Sequence, residues 1–253
     1  MKINQDKCHV LFTGNTPESI WVKVGEEIIW ENNQVKLLGI TIDKNLKFES
    51  HLSKLCAKVS SKVTILSRMG KLLPREKKKI LMKAFIESQF SYCPLIWMFC
   101  SRKLNNRINF IHERALRLVY DDYENSFEYL LKQDNSVSIH HRNIQRVAIE
   151  MYKVVHKLCP SIMNDLFVPH TTTRQTRSKR AFIRPRVNSV HYGEYSIRSF
   201  GPIVWDEMLP QHLKEAINLN IFKKYIKNWI PDNCPCNLCK VYVPQLGFVT
   251  LTE

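Results

Sequence analysis

The stretch Lys77–Tyr120 reads KKKILMKAFIESQFSYCPLIWMFCSRKLNNRINFIHERALRLVY, and it decides the predicted fold. Its second half places apolar residues at alternating steps of four and three: Leu104, Ile108, Ile111, Ala115 and Leu118. This spacing keeps the five side chains on one face of an α-helix, so we expect that face to be buried. The first half carries apolar positions at Ile80, Leu81, Ala84, Phe85 and Ser88, and Tyr92–Cys100 forms an apolar corner. The sequence therefore predicts two helices packed through that corner.

Positive charge dominates the rest of the composition. The 253 residues contain 38 Lys and Arg against 23 Asp and Glu, a formal net charge of +15. An excess of this size favours polyanionic partners, with nucleic acid first and an anionic membrane surface second. A chain of this length forms one large domain or two modest ones.

The N-terminal residues and the apolar runs indicate an intracellular protein, nuclear or cytoplasmic and not secreted. Met1–Leu11 has no apolar core of the length found in signal peptides. The longest near-continuous apolar run, Cys93–Cys100, is far shorter than the roughly 20 residues of a membrane-spanning helix. We therefore expect no membrane partner. Eight cysteines, scattered except for a C-terminal trio, favour reduced thiols.

Strands come first along the chain and helices follow. The runs Cys8–Phe12, Ser19–Val24, Glu27–Glu31 and Val35–Ile42 are rich in β-formers and separated by turn residues. From Leu52 the apolar period becomes helical as far as Gly70, with Lys54, Lys58 and Lys62 in a row at steps of four. Further helices are predicted around Phe127–Leu131, Ile144–Leu158 and Leu219–Trp229. Leu166–Gly193, which lacks acids, indicates an exposed basic loop.

This pattern predicts an α+β, mainly α, chain with four parts. Residues 1–47 form a small antiparallel β region, residues 48–160 a helical domain, residues 161–195 a basic loop or linker, and residues 196–253 a C-terminal helical region with a cysteine-rich tail.

Two pairs of adjacent polar residues are candidate sites of chemistry. Asp121 and Asp122 close a predicted helix and have no partner strand, so we interpret them as a polar helix end and not as a two-metal polymerase pair. Adjacent histidines point about 100° apart on a helix, so we interpret His140 and His141 as surface or capping residues.

The trio Cys234, Cys236 and Cys239 is the sharpest candidate for a metal site. Three thiolates at this spacing suit zinc, but a closed structural site needs four ligands, and Cys159 or His212 would have to come from far along the chain. We favour reduced thiols over zinc and expect no cofactor.

The basic rows favour binding to a phosphate backbone, although a solvated charged face is the simpler interpretation of any one row. The candidate contacts are Lys54, Lys58, Lys62, Arg68, Lys71, Arg75, Lys77, Lys78, Lys79, Arg107, Arg114, Arg117, Arg177, Lys179 and Arg180.

Several strings of the sequence resemble one protein family. They are MKINQDKCH at Met1–His9, VKLLGITID at Val35–Asp43, FSYCPLIW at Phe90–Trp97, IHERALR at Ile111–Arg117 and CPCNLCK at Cys234–Lys240. In this order they resemble the C-terminal part of the reverse transcriptase of a jockey-type non-long-terminal-repeat retrotransposon.

The resemblance implies that residues 1–47 are the end of a polymerase palm. Lys7 would match the family's palm lysine, and Leu38, Gly39 and Ile40 the hairpin that grips the primer. The helices that follow would be the thumb, against an RNA or DNA template–primer duplex. The catalytic aspartate motifs have no match here, so the resemblance implies a fragment that is inactive alone, Mg²⁺ being needed only by the full-length polymerase.

Two alternatives remain open: an inactive product of a decayed retroelement, and a module for nucleic-acid binding or zinc-dependent interaction. No small-molecule substrate is expected.

Overall fold

Short β-hairpins precede a helical body. The computed structural model describes residues 4, 7–14, 20–170, 180–231, 234–236, 238–243 and 247–250. The first hairpin pairs β1 (Trp21–Val24) with β2 (Glu27–Trp30), and the second pairs β3 (Gln34–Leu37) with β4 (Ile40–Asp43), both antiparallel. Val10 adds a parallel bridge to Glu31. The predicted class, α+β and mainly α with a small N-terminal β region, is confirmed.

The helices follow from Glu49 onward. They are α1 (Glu49–Gly70), α2 (Arg75–Leu81), α3 (Ser88–Phe90), α4 (Pro94–Trp97), α5 (Arg102–Tyr120), α6 (Phe127–Asp134), α7 (Ile139–Val155), α8 (Ser161–Asp165), α9 (Ile197–Ile203), α10 (Gln211–Lys214) and α11 (Leu219–Ile226). Three π-helical segments, π1 (Met82–Glu87), π2 (Val190–Glu194) and π3 (Val204–Met208), interrupt or join them. Two further antiparallel pairs are β5 (Val168–Pro169) with β6 (Phe182–Ile183) and β7 (Lys240–Val243) with β8 (Gly247–Thr250).

Two hydrophobic clusters hold the described residues together. The first core, built mainly by α1, π1, α5 and α6, includes Leu52, Cys56, Val59, Val63, Met82, Ile86, Phe90, Ile108, Ala115, Leu116 and Leu130. The second core, built mainly by α7, α9, π3 and α11, includes Ile144, Ala148, Met151, Tyr152, Phe200, Val204, Trp205, Phe222 and Ile226. Most of α7 therefore packs with the C-terminal elements, although the sequence placed residues 48–160 in one domain.

Residues 161–195 differ from the predicted linker. This range contains α8, the β5–β6 pair and π2, and the side chains of Phe167 and Phe182 are buried in the second core. The two aromatic rings lie 5.7 Å apart, centre to centre. Periodicity could not predict this anchor, because the two buried residues, Phe167 and Phe182, are fifteen positions apart.

The buried face of α5 matches the prediction, whereas the helix before it does not. Leu104, Ile108, Ile111 and Ala115 are buried, and Leu118 packs at the edge of the first core. On the preceding helix, Ile80 and Phe85 are more than half exposed. A π-helix closes each turn with one more residue than an α-helix, so π1 turns Met82, Ile86 and Phe90 inward.

A largely buried ion pair joins the two cores. The guanidinium of Arg142 on α7 binds both carboxylate oxygens of Glu87 on π1, at 2.6 and 2.9 Å. The Nε2 atom of the buried His112 lies 3.7 Å from the same carboxylate. Burial alone would raise the pKa of Glu87, but the neighbouring His112 and Arg142 lower it well below its ordinary value. Burial in turn lowers the pKa of His112, which favours a neutral imidazole.

Glu87→Gln should destabilise the fold, because it leaves the Arg142 cation without its anion. We expect the free energy of unfolding at pH 7 to fall by about 3 kcal/mol, as measured by urea denaturation. The matched control is Glu124→Gln, which removes an exposed carboxylate from the loop after α5. An equal loss in both variants would contradict a structural role for the ion pair.

The same ion pair should make stability depend on pH in acid. Because folding lowers the pKa of Glu87, its contribution is complete above the ordinary value of 4.5 and is lost as the pH falls further. The free energies of unfolding of the natural chain and of Glu87→Gln should therefore converge as the pH is lowered from 6 to 3. Parallel curves would contradict this assignment.

Candidate metal centre and nucleic-acid interface

Three thiols of the C-terminal tail meet one histidine of α7. The ligand atoms of His140, Cys234, Cys236 and Cys239 all lie within 4.8 Å of one another. The Cys236 sulfur is 3.1 Å from His140 Nε2, 3.2 Å from the Cys234 sulfur and 3.3 Å from the Cys239 sulfur. Within the described part of the chain, this is the one group of three or more potential ligands with metal-binding geometry. The four residues form a candidate metal centre.

Local structure positions each side of this centre. Ser138 caps α7, its hydroxyl accepting a hydrogen bond from the His141 N–H at 3.2 Å, which places His140 in the first turn. The tail is fastened from the other side, where the Asn105 amide of α5 donates to the Leu238 carbonyl at 3.1 Å. The Phe99 ring lies edge-on to His140 at 6.0 Å. The imidazole and the thiols are thus held in place by α7, by α5 and by the turn that follows α4.

The donor set fits a tetrahedral metal ion. Zinc bound by thiolates at about 2.3 Å would separate its ligand atoms by about 3.5 to 3.8 Å. The three distances from the Cys236 sulfur are a few tenths of an ångström shorter than this, and all other pairs lie within 4.8 Å. The thiols are free, and sulfur–sulfur distances above 3 Å exclude disulfides. Hydrogen bonds from Cys234 and Cys239 lower the pKa of Cys236, and hydrogen bonds within the same cluster raise the pKa of Cys234 and of Cys239, so the cluster favours one thiolate among the three sulfurs.

Sequence reasoning missed the fourth ligand. It interpreted His140 and His141 as surface or capping residues, but both are buried. Its more distant candidates lie elsewhere: the Cys159 thiol donates to Asn164 at 3.1 Å, and His212 is exposed. The available signal was the Ser138 cap, which sets the start of α7 and hence the direction of His140. Cys236 lies 96 residues away, and nothing local connects it to that cap.

A second candidate site is a groove between the β3–β4 hairpin and α1, which we call the basic groove. Its volume is about 700 Å³. The residues that line it are Lys36, Leu38, Gly39, Thr41, His51, Lys54, Leu55, Lys58, Ser88, Gln89 and Tyr92. Three of these described residues are lysines and none is acidic, so the electrostatic potential of the groove is positive.

The hairpin turn forms one wall of the basic groove. Leu38 and Gly39 both have positive φ angles, 47° and 85°, as a two-residue type I′ turn requires. Leucine adopts this conformation at a cost, and its side chain is 82% exposed. The Tyr92 hydroxyl donates to the Leu38 carbonyl, which fastens the turn to the residues between α3 and α4. A strained, exposed turn held by a distant side chain is typical of a binding site.

Most predicted phosphate contacts are accessible. Lys54 and Lys58 are exposed and line the basic groove, while Lys62 is half-buried with its ammonium 5.9 Å from the centre of the Phe85 ring. The other exposed members are Arg68, Lys71, Arg75, Lys77, Arg107, Arg114 and Arg180. Lys7 is also exposed, whereas Arg177 and Lys179 lie outside the described residues.

Four predicted phosphate contacts lie beside carboxylates of the protein, the longest of these ion pairs being that of the exposed Arg180 with Glu207 at 3.6 Å. Lys78 is only 3% exposed and its ammonium lies 2.6 Å from Asp121. Lys79 pairs with the buried Asp134 at 2.8 Å, and Arg117 with Glu113 at 2.6 Å. We leave Lys78 out of the interface, because its charge is buried and neutralised within the fold.

The aspartate pair forms a helix end, as the sequence predicts. Asp121 is the C-cap of α5 with a left-handed backbone conformation, φ 54°. Asp122 accepts backbone hydrogen bonds from Glu124 and Asn125 at 3.2 and 3.1 Å. These local bonds occupy the Asp122 carboxylate, while the Asp121 carboxylate is paired with Lys78.

Comparison with protein-family models, with curated proteins and with solved structures found no match. The resemblance to a reverse transcriptase therefore stays a prediction. Among the described residues, no helix is both long enough and apolar enough to cross a bilayer.

Proposed function

We propose that the chain binds the phosphate backbone of a nucleic-acid duplex in the basic groove. The observation that carries this proposal is the convergence of Lys36, Lys54 and Lys58 on one groove whose described lining has no carboxylate. Lysine ammonium groups act as mobile point charges and neutralise phosphates without regard to base sequence. Binding should release condensed counterions and therefore weaken steeply with salt.

The shape of the groove supports a duplex ligand. Lys54 and Lys58 lie one helical turn apart, about 6 Å along α1, so they can contact neighbouring phosphates of one strand. Gln89 adds a neutral hydrogen-bond donor on the opposite wall, beside Ser88, and Lys36 approaches from the hairpin. Contacts from two walls would hold a strand in a fixed position along the groove.

The relation between hairpin and helix supports a more specific identity. The resemblance places Leu38, Gly39 and Ile40 at a primer-gripping hairpin and the following helix in a polymerase thumb, and these two elements form the walls of the basic groove. We propose that the chain is the end of the palm, the thumb and the C-terminal region of a retrotransposon reverse transcriptase. In this proposal it binds template–primer duplex without the catalytic aspartates, and a decayed, inactive product stays the alternative.

A second proposal concerns the candidate metal centre. We infer that His140, Cys234, Cys236 and Cys239 hold one Zn²⁺, His140 through Nε2. Three thiolates and an imidazole complete a four-coordinate shell, which is the arrangement of structural zinc sites and leaves no open position for a substrate. The bound ion would crosslink the tail to α7, beside the contact between Asn105 and Leu238.

Reversing the charge of two groove lysines should weaken binding to duplexes of every sequence. For Lys54→Glu/Lys58→Glu we expect a lower affinity and a salt slope reduced by about 1.8, since each lost phosphate contact contributes about 0.9 on duplex DNA. The measurement is fluorescence anisotropy with a labelled RNA–DNA hybrid and with DNA duplex over a salt titration.

The matched control for this experiment is Lys223→Glu/Lys224→Glu, which makes the same charge change on two exposed residues of α11. The control should retain most of the affinity. Equal weakening by both double variants would show that the net charge, and not the basic groove, determines binding.

The metal proposal predicts one zinc per chain by elemental analysis of protein purified without chelators. His140→Ala and Cys236→Ser should each lose zinc and unfold at a lower temperature, because a closed site stabilises the folded state. His212→Ala and Cys93→Ser, which change exposed residues, serve as controls. Full zinc content in His140→Ala would contradict the assigned ligand set.

A further inference from the structure

A second groove follows the basic groove along the contact between α1 and the segment from α2 to α3, which we call the seam. We call this second groove the apolar groove; its volume is about 440 Å³, and Ile65, Leu66, Met69, Leu81, Phe85 and Ile86 line it, with Lys62 at its end. Ile65 is 55% exposed, Met69 44% and Phe85 54%. Large apolar side chains that gather in one exposed groove mark an interaction surface more often than isolated ones do.

The seam changes character along its length. Toward the N-terminus of α1, Lys54 and Lys58 face Ser88 and Gln89 in the basic groove. Toward its C-terminus, Ile65 and Met69 face Leu81 and Phe85. Apolar side chains offer phosphate neither a hydrogen bond nor a positive charge, so duplex binding does not account for this second half of the seam.

The backbone of π1 creates the apolar half. Because of its wider turn, Met82 and Ile86 fill the first core while Phe85 projects outward. Lys62 lies over the outer face of the Phe85 ring. Single-turn π segments inside helices are frequent at functional sites, where they change the direction of a side chain.

The shape of the apolar groove favours a helix as its occupant. It is a concave channel between two helices, α1 and the α2–π1 segment, and an amphipathic helix inserts apolar side chains into such a channel at steps of three and four. A membrane surface would instead favour a convex apolar face. Methionine and phenylalanine at the walls suit a side-chain packing that adjusts to its partner.

The positive charges around the apolar groove favour a helix with acidic side chains. Lys62 lies at one end, Arg68 is exposed beside Met69, and the exposed Lys77 lies one turn before Leu81 on the same side of α2. Two acids are near these residues in sequence. Glu76 lies about 140° from Leu81 around the helix, and Glu87, which follows Ile86, is largely buried and paired with Arg142. The cations around the apolar floor therefore complement a ligand with acidic flanks.

We propose that the apolar groove binds an amphipathic helix of a partner protein, with apolar residues on one face and carboxylates beside it. This interaction goes beyond duplex binding and does not depend on it, since the two grooves use different side chains.

The test uses a fluorescein-labelled helical peptide of about 18 residues, with Leu at steps of three and four and Glu on its flanks. Anisotropy should show saturable binding that Ile65→Ser/Phe85→Ser weakens at least about tenfold. The matched control is Ile162→Ser/Ile217→Ser, because these side chains are 71% and 89% exposed and lie outside the groove. All changed residues are exposed, so the variants should keep the circular dichroism and duplex affinity of the natural chain.

Several outcomes would overturn the proposal. If a peptide with Lys in place of Glu bound equally well, the cations around the apolar groove would not select the ligand. If both double variants weakened binding equally, the apolar groove would not be the binding site. If the natural chain bound anionic phospholipid vesicles and not the peptide, and Ile65→Ser/Phe85→Ser lost the vesicle binding, the surface would be assigned to a membrane. Concentration-dependent dimers that the same variant abolishes would assign it to a second copy of the chain. Unchanged duplex binding in any of these cases would leave the basic groove as proposed.

Discussion

The ion pair between Glu87 and Arg142 joins the elements that carry the candidate sites. Arg142 lies two residues after His140, about 200° around α7, so the guanidinium that meets Glu87 and the imidazole that meets the tail lie on opposite sides of that helix. Glu87 ends π1, and its neighbours Ser88 and Gln89 line the basic groove while Phe85 lines the apolar groove. One bidentate contact therefore links the candidate metal centre to both grooves.

Periodicity predicted the helices whose turns are regular. The steps of four and three along α5 identified its buried face, and the same reasoning located α1 with its exposed lysines. It failed at π1, because one additional residue per turn rotates every later side chain relative to an α-helical pattern. It also failed for residues 161–195, where Phe167 and Phe182 are held by a distant core and by no local repeat.

The candidate sites were predictable where local sequence carries the chemistry. The lysine row and the cysteine trio could be identified by spacing alone, and the hairpin at Leu38 by resemblance. The missing information was long-range: Lys78 is neutralised by Asp121, 43 residues away, and the histidine of the metal centre lies 96 residues from Cys236. Burial of an ionisable residue is a property of the folded chain, and composition does not encode it.

The spacing of the candidate metal ligands has a consequence for synthesis on the ribosome. His140 leaves the exit tunnel long before Cys239 is translated, so the four side chains can meet only after the tail has followed. Until then, the helices of the second core lack the tail residues that pack against them, Cys236 and Leu238 among them. Closing so long a loop carries an entropic cost that grows slowly with length and must be met by contacts made at the end. A chain that stops before Cys236 would thus expose this part of the second core to chaperones and proteases.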